Sequence, residues 1–129
     1  MRRTYVSLLL LLGALAVACS EPARIAGFDS DRWKSDRYAC ENSRQAMQSD
    51  FDGIRRELYG LKEPDIIDIL GKPDGEQLMA RGQRIFYYYI EPGSQCNRKG
   101  VLSEANRVEV RFNALSRVSE ITYARPLAK

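Results

Sequence analysis

Apolar positions along this chain follow one period in its first half and another in its second. Over residues 38–59 they fall at Cys40, Met47, Phe51, Ile54 and Leu58, with Leu61 just beyond. Spacings of 7, 4, 3, 4 and 3 trace one face of a 3.6-residue turn and predict a helix over 38–59 with Cys40 on its buried face. Gly53 costs about 1 kcal/mol relative to Ala in a helix interior, which marks a place for a kink. Gly60 suits a left-handed cap at the end. A second, shorter helix is predicted over 63–70, with Pro64 in its first turn, where a missing N–H does no harm. Ile66, Ile67 and Leu70 are expected to face the core, and Gly71 followed by Pro73 stops the helix. Ahead of both, residues 29–36 read as one helical turn, capped by Asp29 or Ser30 and anchored by Trp33.

After Pro73 the period becomes two. Residues 77–80 predict a short strand, 81–83 its turn, and 84–91 a strong strand, Arg-Ile-Phe-Tyr-Tyr-Tyr-Ile-Glu. Ile85, Tyr87 and Tyr89 point one way; Phe86, Tyr88 and Ile90 point the other. Both faces are apolar or aromatic, so this strand is expected to be central, with a helix layer on one side. Residues 107–113 alternate cleanly, with Val108, Val110 and Phe112 inward and Arg107, Glu109, Arg111 and Asn113 outward. The last strand is predicted at 118–124. Val118 and Ile121 are out of phase there, which calls for a bulge or twist. Helices followed by strands define an α+β fold: two helices packed on a three- to four-stranded antiparallel sheet.

The N-terminus changes the picture. Arg2 and Arg3 precede an almost unbroken apolar run over 6–17, and Ala16-Val17-Ala18 leads into Cys19. The run is short of the roughly 20 apolar residues that span a bilayer. It fits a signal peptide, and Ala16-Val17-Ala18-Cys19 resembles the bacterial lipobox. The expected organisation is a lipoprotein signal peptide at 1–18, a lipidated Cys19 with a tether over 19–28, and a single domain over 29–129. An ordinary signal peptide cut nearby, with Cys19 incidental, fits the same stretch. Ser20 lacks the Asp that resembles an inner-membrane retention signal. The expectation is therefore an outer-membrane anchor, multiply acylated, with the domain facing the periplasm.

Cleavage before Cys19 would remove Arg2 and Arg3 and leave 18 Lys and Arg against 17 Asp and Glu. That balance, with no basic patch interleaved with aromatics, gives no reason to expect nucleic acid. Cys40 and Cys96 remain as a pair in a disulfide-permissive compartment. The alternative is two free thiols, without a C-x-x-C spacing. There is no histidine, which removes the commonest general base and metal ligand. Asp29-x-Asp31 and Asp50-x-Asp52-Gly53 do not continue into a calcium loop. Gly71-Lys72-Pro73-Asp74-Gly75 lacks phosphate-loop spacing and reads as a helix stop. No catalytic residue, metal site or cofactor is expected.

Residues 60–73, Gly-Leu-Lys-Glu-Pro-Asp-Ile-Ile-Asp-Ile-Leu-Gly-Lys-Pro, resemble the Gly-Met-(Ser/Thr)-…-Val-…-Leu-Gly-x-Pro signature of the BamE/SmpA/OmlA family of small outer-membrane lipoproteins. Phe86-Tyr87-Tyr88-Tyr89 resembles that family's aromatic strand. Val108-x-Val110-x-Phe112-Asn113 followed by Arg117-Val118 resembles its last hairpin. Lys62 stands where the family has Ser or Thr, Ser116 where Gly is common, and Cys40 and Cys96 lie outside the signature. The likeness is thus to a distant branch. It implies two helices followed by a three-stranded antiparallel sheet that serves as a binding surface, with assistance to outer-membrane protein assembly as the family's best-known role. The same fold resembles the repeat of a secreted β-lactamase inhibitor protein.

The expected function is a non-enzymatic, lipid-anchored module that binds another envelope protein. The alternative is an inhibitor-like or ligand-binding module acting on a periplasmic enzyme or glycan. The candidate contact residues are Tyr87, Tyr88, Tyr89, Arg107 and Arg111. For the tyrosines two readings stand: core with hydroxyls at the rim, or a partly exposed aromatic contact.

Overall fold

A computed structural model describes residues 19–125; the expected signal peptide at 1–18 lies outside the described residues, as do 126–129. Helix α1 (Ser30–Ser35) starts at Asp29, whose carboxylate accepts the Arg32 N–H at 3.0 Å. Its Trp33 is fully buried, stacked on Phe51 at 5.3 Å and tilted against Phe28 at 5.7 Å. The segment expected as a tether is therefore only partly one. Phe28 is buried, Ala23 and Ile25 pack against the same core, and the Ala23 N–H donates to Asp68 at 3.0 Å.

The long helix expected over 38–59 is broken. A 3₁₀ turn at Arg37–Ala39 gives way to α2 (Ser43–Ala46), then α3 (Gln48–Ile54) and a second 3₁₀ turn at Arg55–Leu58. The cause is Asp36. Its buried carboxylate accepts the N–H groups of Glu41 at 2.8 Å and Arg44 at 3.0 Å, offering the backbone an alternative to a helical ladder. Tyr38, Ala39 and Asn42 take left-handed conformations around it. Cys40 consequently leaves the apolar stripe and lies half-buried, joined to Cys96. The stripe itself holds from Met47 onward: Met47, Phe51, Ile54 and Leu58 are all buried. Helix α4 (Glu63–Leu70) has the expected bounds. It buries Ile66, Ile69 and Leu70, whereas Ile67, expected inward, is exposed. Gly71, at φ +83°, closes it by donating to the Ile67 carbonyl at 2.8 Å.

Strands β1 (Gly75–Leu78), β2 (Arg84–Tyr89), β3 (Arg107–Phe112) and β4 (Val118–Tyr123) form one antiparallel sheet in that order. The fold is α+β, with a four-stranded open sheet. Strand β1 begins and ends two residues ahead of its predicted bounds, and Ala80–Gly82 is taken by a 3₁₀ turn with Arg81 at φ +61°. The irregularity expected in the last strand is present. The register shifts at Arg111/Phe112, so that Ser119 is the extra residue between Glu120, opposite Arg111, and Val118, opposite Phe112. That single insertion puts both Val118 and Ile121 into the core, where strict alternation would allow only one.

The main core lies between α1, α3, α4 and the inner sheet face. Phe86, Tyr88 and Ile90 supply it from β2 and its end, Val108, Val110 and Phe112 from β3. Phe86 and Phe112 meet edge-to-face at 4.7 Å.

Candidate functional site

The three tyrosines divide between two environments. Tyr88 points inward and is fully buried, its hydroxyl donating to the Gly71 carbonyl at 2.9 Å. Burial, with the Asp74 charge adding to it and the Arg44 charge opposing, pushes its phenol far above the ordinary value. Tyr88 is thus a core residue that ties β2 to the end of α4, and it offers no surface to a partner. Tyr87 and Tyr89 point to the opposite face, which the helices leave uncovered, yet they too are buried, 7% and 3% exposed.

That outer face has its own cover. The loop over 91–106 folds back across it. A disulfide between Cys40 and Cys96 fastens this loop to the 37–40 turn, with Cα atoms 5.8 Å apart. Gln95, fully buried, reinforces the seam. Its amide donates to the carbonyls of Tyr38 at 3.0 Å and Glu91 at 2.8 Å, and its oxygen accepts the Ser103 hydroxyl at 2.5 Å. The Ser103 N–H then donates to the Tyr89 hydroxyl at 3.0 Å. Gly93 is required at the fold-back: a Cβ there would come within 2.7 Å of Ala105 Cβ. Tyr89, Ala39 and Ala105 make a second small core beneath the loop, with Tyr38 against it.

Arg107 and Arg111 stand on this outer face, as expected from the alternation. The Arg107 guanidinium lies 4.9 Å from the centre of the Tyr87 ring and pairs with Glu109 at 2.9 Å. Arg111 pairs with Glu120 at 3.3 Å and reaches Gln83 at 3.4 Å. Arg107 therefore roofs Tyr87, while Arg111 stands opposite Ile85, and both are partly spent on their neighbours. Desolvation raises the Tyr87 phenol, with Glu109 adding and Arg107 opposing.

Where the loop and the roof leave a gap, an open groove of about 270 Å³ remains between β1 and the loop. Tyr87 and Tyr89 line its floor, Gly75 and Gln77 one wall, Val101 and Leu102 the other. Val101 and Leu102 are 58% and 60% exposed, unusual for an adjacent aliphatic pair on a loop. Its polar groups are already engaged: the Tyr87 hydroxyl with Gln77, the Tyr89 hydroxyl with Ser103, Asp74 with Arg44. The volume is at the lower limit for a small-molecule pocket. It has room for one or two side chains. The sequence signals missed were Val101-Leu102, an apolar pair inside a polar loop, and Gln77 at the strand edge.

Beneath the groove lies a charged node absent from the sequence expectations. Arg44 and Asp74 pair at 2.7 Å, with side chains 1% and 0% exposed. Arg44 also donates to the carbonyls of Trp33 at 3.0 Å and Tyr89 at 3.2 Å, and lies over the Trp33 ring at 5.1 Å. Asp74 accepts the N–H groups of Tyr38 at 3.1 Å and Tyr89 at 2.8 Å. Both Asp74 oxygens and the Nε and Nη1 of Arg44 are hydrogen-bonded, the condition under which a buried ion pair persists. It joins the 36–44 segment, the start of β1 and the end of β2.

Cys19 is a free, exposed thiol. Among the described residues no helix is long and apolar enough to cross a membrane, and no cluster of three or more carboxylate or cysteine side chains is placed to hold a metal ion. The chain matches no family model, no curated protein and no solved structure.

Proposed function

We propose that this protein is a lipid-anchored module of the bacterial envelope that binds another protein through the groove on its outer sheet face, without catalysing a reaction. One observation carries the reading. The three cysteines separate by role, with Cys40 and Cys96 bridged and Cys19 left free and exposed at the start of the folded domain, directly after the lipobox-like stretch. An oxidised pair fits an exported compartment, and a lone cysteine at that position fits acylation. The binding part rests on the groove, whose aromatic floor is braced by the disulfide, Gln95 and the Arg107 guanidinium. Rigid aromatic surface lowers the entropic cost of association. Outer-membrane assembly, by resemblance to the BamE/SmpA/OmlA family, is the process in which such a partner is sought.

The test uses intact cells of the native host. Metabolic labelling with a palmitate analogue is expected to mark the wild-type chain and not Cys19→Ser, and the label to fractionate with the outer membrane. A photoreactive residue at Leu102 is expected to capture one other envelope protein, where the same residue at Tyr88 captures nothing. Equal labelling of Cys19→Ser overturns the anchor. Capture at Leu102 of no other protein overturns the binding surface.

A further inference from the structure

The two edges of the sheet are treated differently. On β4 the outward-facing backbone groups of Val118 and Ile121 are spent. The Val118 carbonyl accepts the Gly60 N–H at 2.9 Å, and the Val118 N–H donates to Leu61 at 2.9 Å. The Ile121 carbonyl accepts from Arg55 at 2.6 Å, and its N–H donates to the Tyr59 hydroxyl at 3.3 Å. No such cover exists on β1, where no described strand lies outside it. Its ladder to β2 continues through the Met79 N–H to the Gln83 carbonyl at 2.8 Å, which fixes the alternation. Odd-numbered residues of β1 bond inward, and the N–H and C=O groups of Glu76 and Leu78 face away from the sheet. Unpaired edges invite strand addition, and proteins usually blunt them.

The surroundings of this edge say what it would take. The groove floored by Tyr87 and Tyr89 runs beside β1 on the outer face. Leu78, 72% exposed, lies beside it on the inner face, in line with Phe86 and Arg84. A strand laid along β1 would thus meet the groove with the side chains of one face, and the row of Leu78, Glu76 and Arg84 with those of the other. The charge around the edge is one-sided. Lys72 and Arg81 flank β1, Arg98 and Lys99 sit on the loop that walls the groove, and all four are exposed and unpaired by any carboxylate among the described residues. The only exposed carboxylate on the strand, Glu76, already lies 4.0 Å from Arg84.

We infer that the free edge of β1 is a docking strand for an extended, acidic segment of a partner protein, which adds as a fifth strand and places an aliphatic side chain against Tyr87, Tyr89 and Leu102. Strand addition of this kind takes affinity from main-chain bonds and selectivity from alternate side chains. This deepens the protein-binding reading above and rests on it.

The probe is a fluorescent decapeptide alternating Asp and Val, titrated against the full chain in detergent by polarisation, with an alternating Lys and Val decapeptide as control. The Asp peptide is expected to bind and the Lys peptide to bind at least about tenfold more weakly. Glu76→Pro removes one outward N–H at an edge position where proline is tolerated, and is expected to weaken binding about tenfold. Glu76→Gln, which keeps that N–H, is expected to bind at least as well as the wild type. Circular dichroism establishes that both variants fold. Binding is also expected to protect the Glu76 and Leu78 amides from hydrogen exchange. Equal affinity of Glu76→Pro and Glu76→Gln, or binding without that protection, overturns the edge as the site. So does concentration-dependent self-association that protects the same amides without peptide, which would assign the edge to a second copy. Failure of the peptide to bind while Leu102 still captures a partner in cells discards the strand addition and leaves the protein-binding reading standing; failure of both removes both.

Discussion

Ser116 occupies the one position in the last hairpin whose backbone asks for glycine. The turn is closed by the Ser116 N–H to the Asn113 carbonyl at 2.9 Å and the Asn113 N–H to Arg117 at 2.9 Å, with the Asn113 side chain accepting from Leu115 and Arg117. Ser116 holds φ +58° to make this possible. A left-handed conformation costs an L-residue roughly 1–2 kcal/mol, and glycine gives back part of that through its larger unfolded-state entropy. Ser116→Gly should therefore stabilise the fold by about 0.5–1 kcal/mol. Chemical denaturation would read it as a higher midpoint with an unchanged slope. A lower midpoint would mean that the serine makes an interaction worth more than the strain. The same logic applies in reverse at Lys62, which has no side-chain acceptor to cap α4. The Asp65 carboxylate accepts the Lys62 N–H at 3.3 Å, so one half of a capping box survives.

At the scale of elements, the Arg44–Asp74 pair decides how the 36–44 segment meets the sheet. Removing only Arg44 leaves a buried carboxylate that still takes two backbone N–H groups but has lost its counter-charge. Arg44→Met should cost about 3–5 kcal/mol. Arg44→Met with Asp74→Asn should cost clearly less than the two single changes together, since the amide oxygen still accepts a backbone N–H and no charge is stranded. Additive losses in that double-mutant cycle would show that the two side chains act separately. This node also explains what the chain did and did not disclose. The strands were legible because alternation states burial directly, and the bulge was legible from Val118 and Ile121 being out of step. The stripe Met47, Phe51, Ile54 and Leu58 was legible for the same reason. The break at 36–42 was not, because it depends on which N–H groups the Asp36 carboxylate captures, and Asp36 and Asn42 look like ordinary polar residues on a helix flank. Arg44 reads as a solvent-facing charge until its partner, 30 residues on, is brought beneath it. The tyrosine run showed two apolar faces but not their covers. The second cover is a loop without periodicity, recognisable only through Cys96.

For the molecule as a whole, stability should depend on alkaline pH in a defined direction. The Tyr88 phenol is held neutral by burial in the folded state, whereas its ordinary value is 10.0. A group whose pKa is raised on folding gives its full stabilisation below the unfolded value and loses it as pH climbs toward the folded one. Above pH 10 the unfolded chain releases this proton and the native chain keeps it, so Tyr88 alone should lower stability by about 1.4 kcal/mol per pH unit. Tyr123, raised by burial and by its bond to Asp52 but partly exposed, acts in the same sense and more weakly. Tyr88→Phe forfeits the bond to Gly71 and should be less stable by about 1 kcal/mol at neutral pH. Thermal melts across pH 7 to about 11.5 should then show the gap closing above pH 10 and reversing; parallel curves would mean that the phenol is not kept from water. Acylation of Cys19, as proposed, would give an anchored state with a geometry of its own, set by the bond between the Ala23 N–H and Asp68. With Ala23 fastened to α4, only residues 19–22 remain as slack, and four extended residues reach at most about 14 Å. A chain lipidated at Cys19 would be confined to a thin shell above the bilayer, with little freedom to tumble. Confinement of that kind raises the effective concentration toward partners lying in the same membrane and drops it to nothing for those on a distant surface. The distance at which a chain so anchored could act would in that sense be fixed by the docking of residues 23–28 on the core.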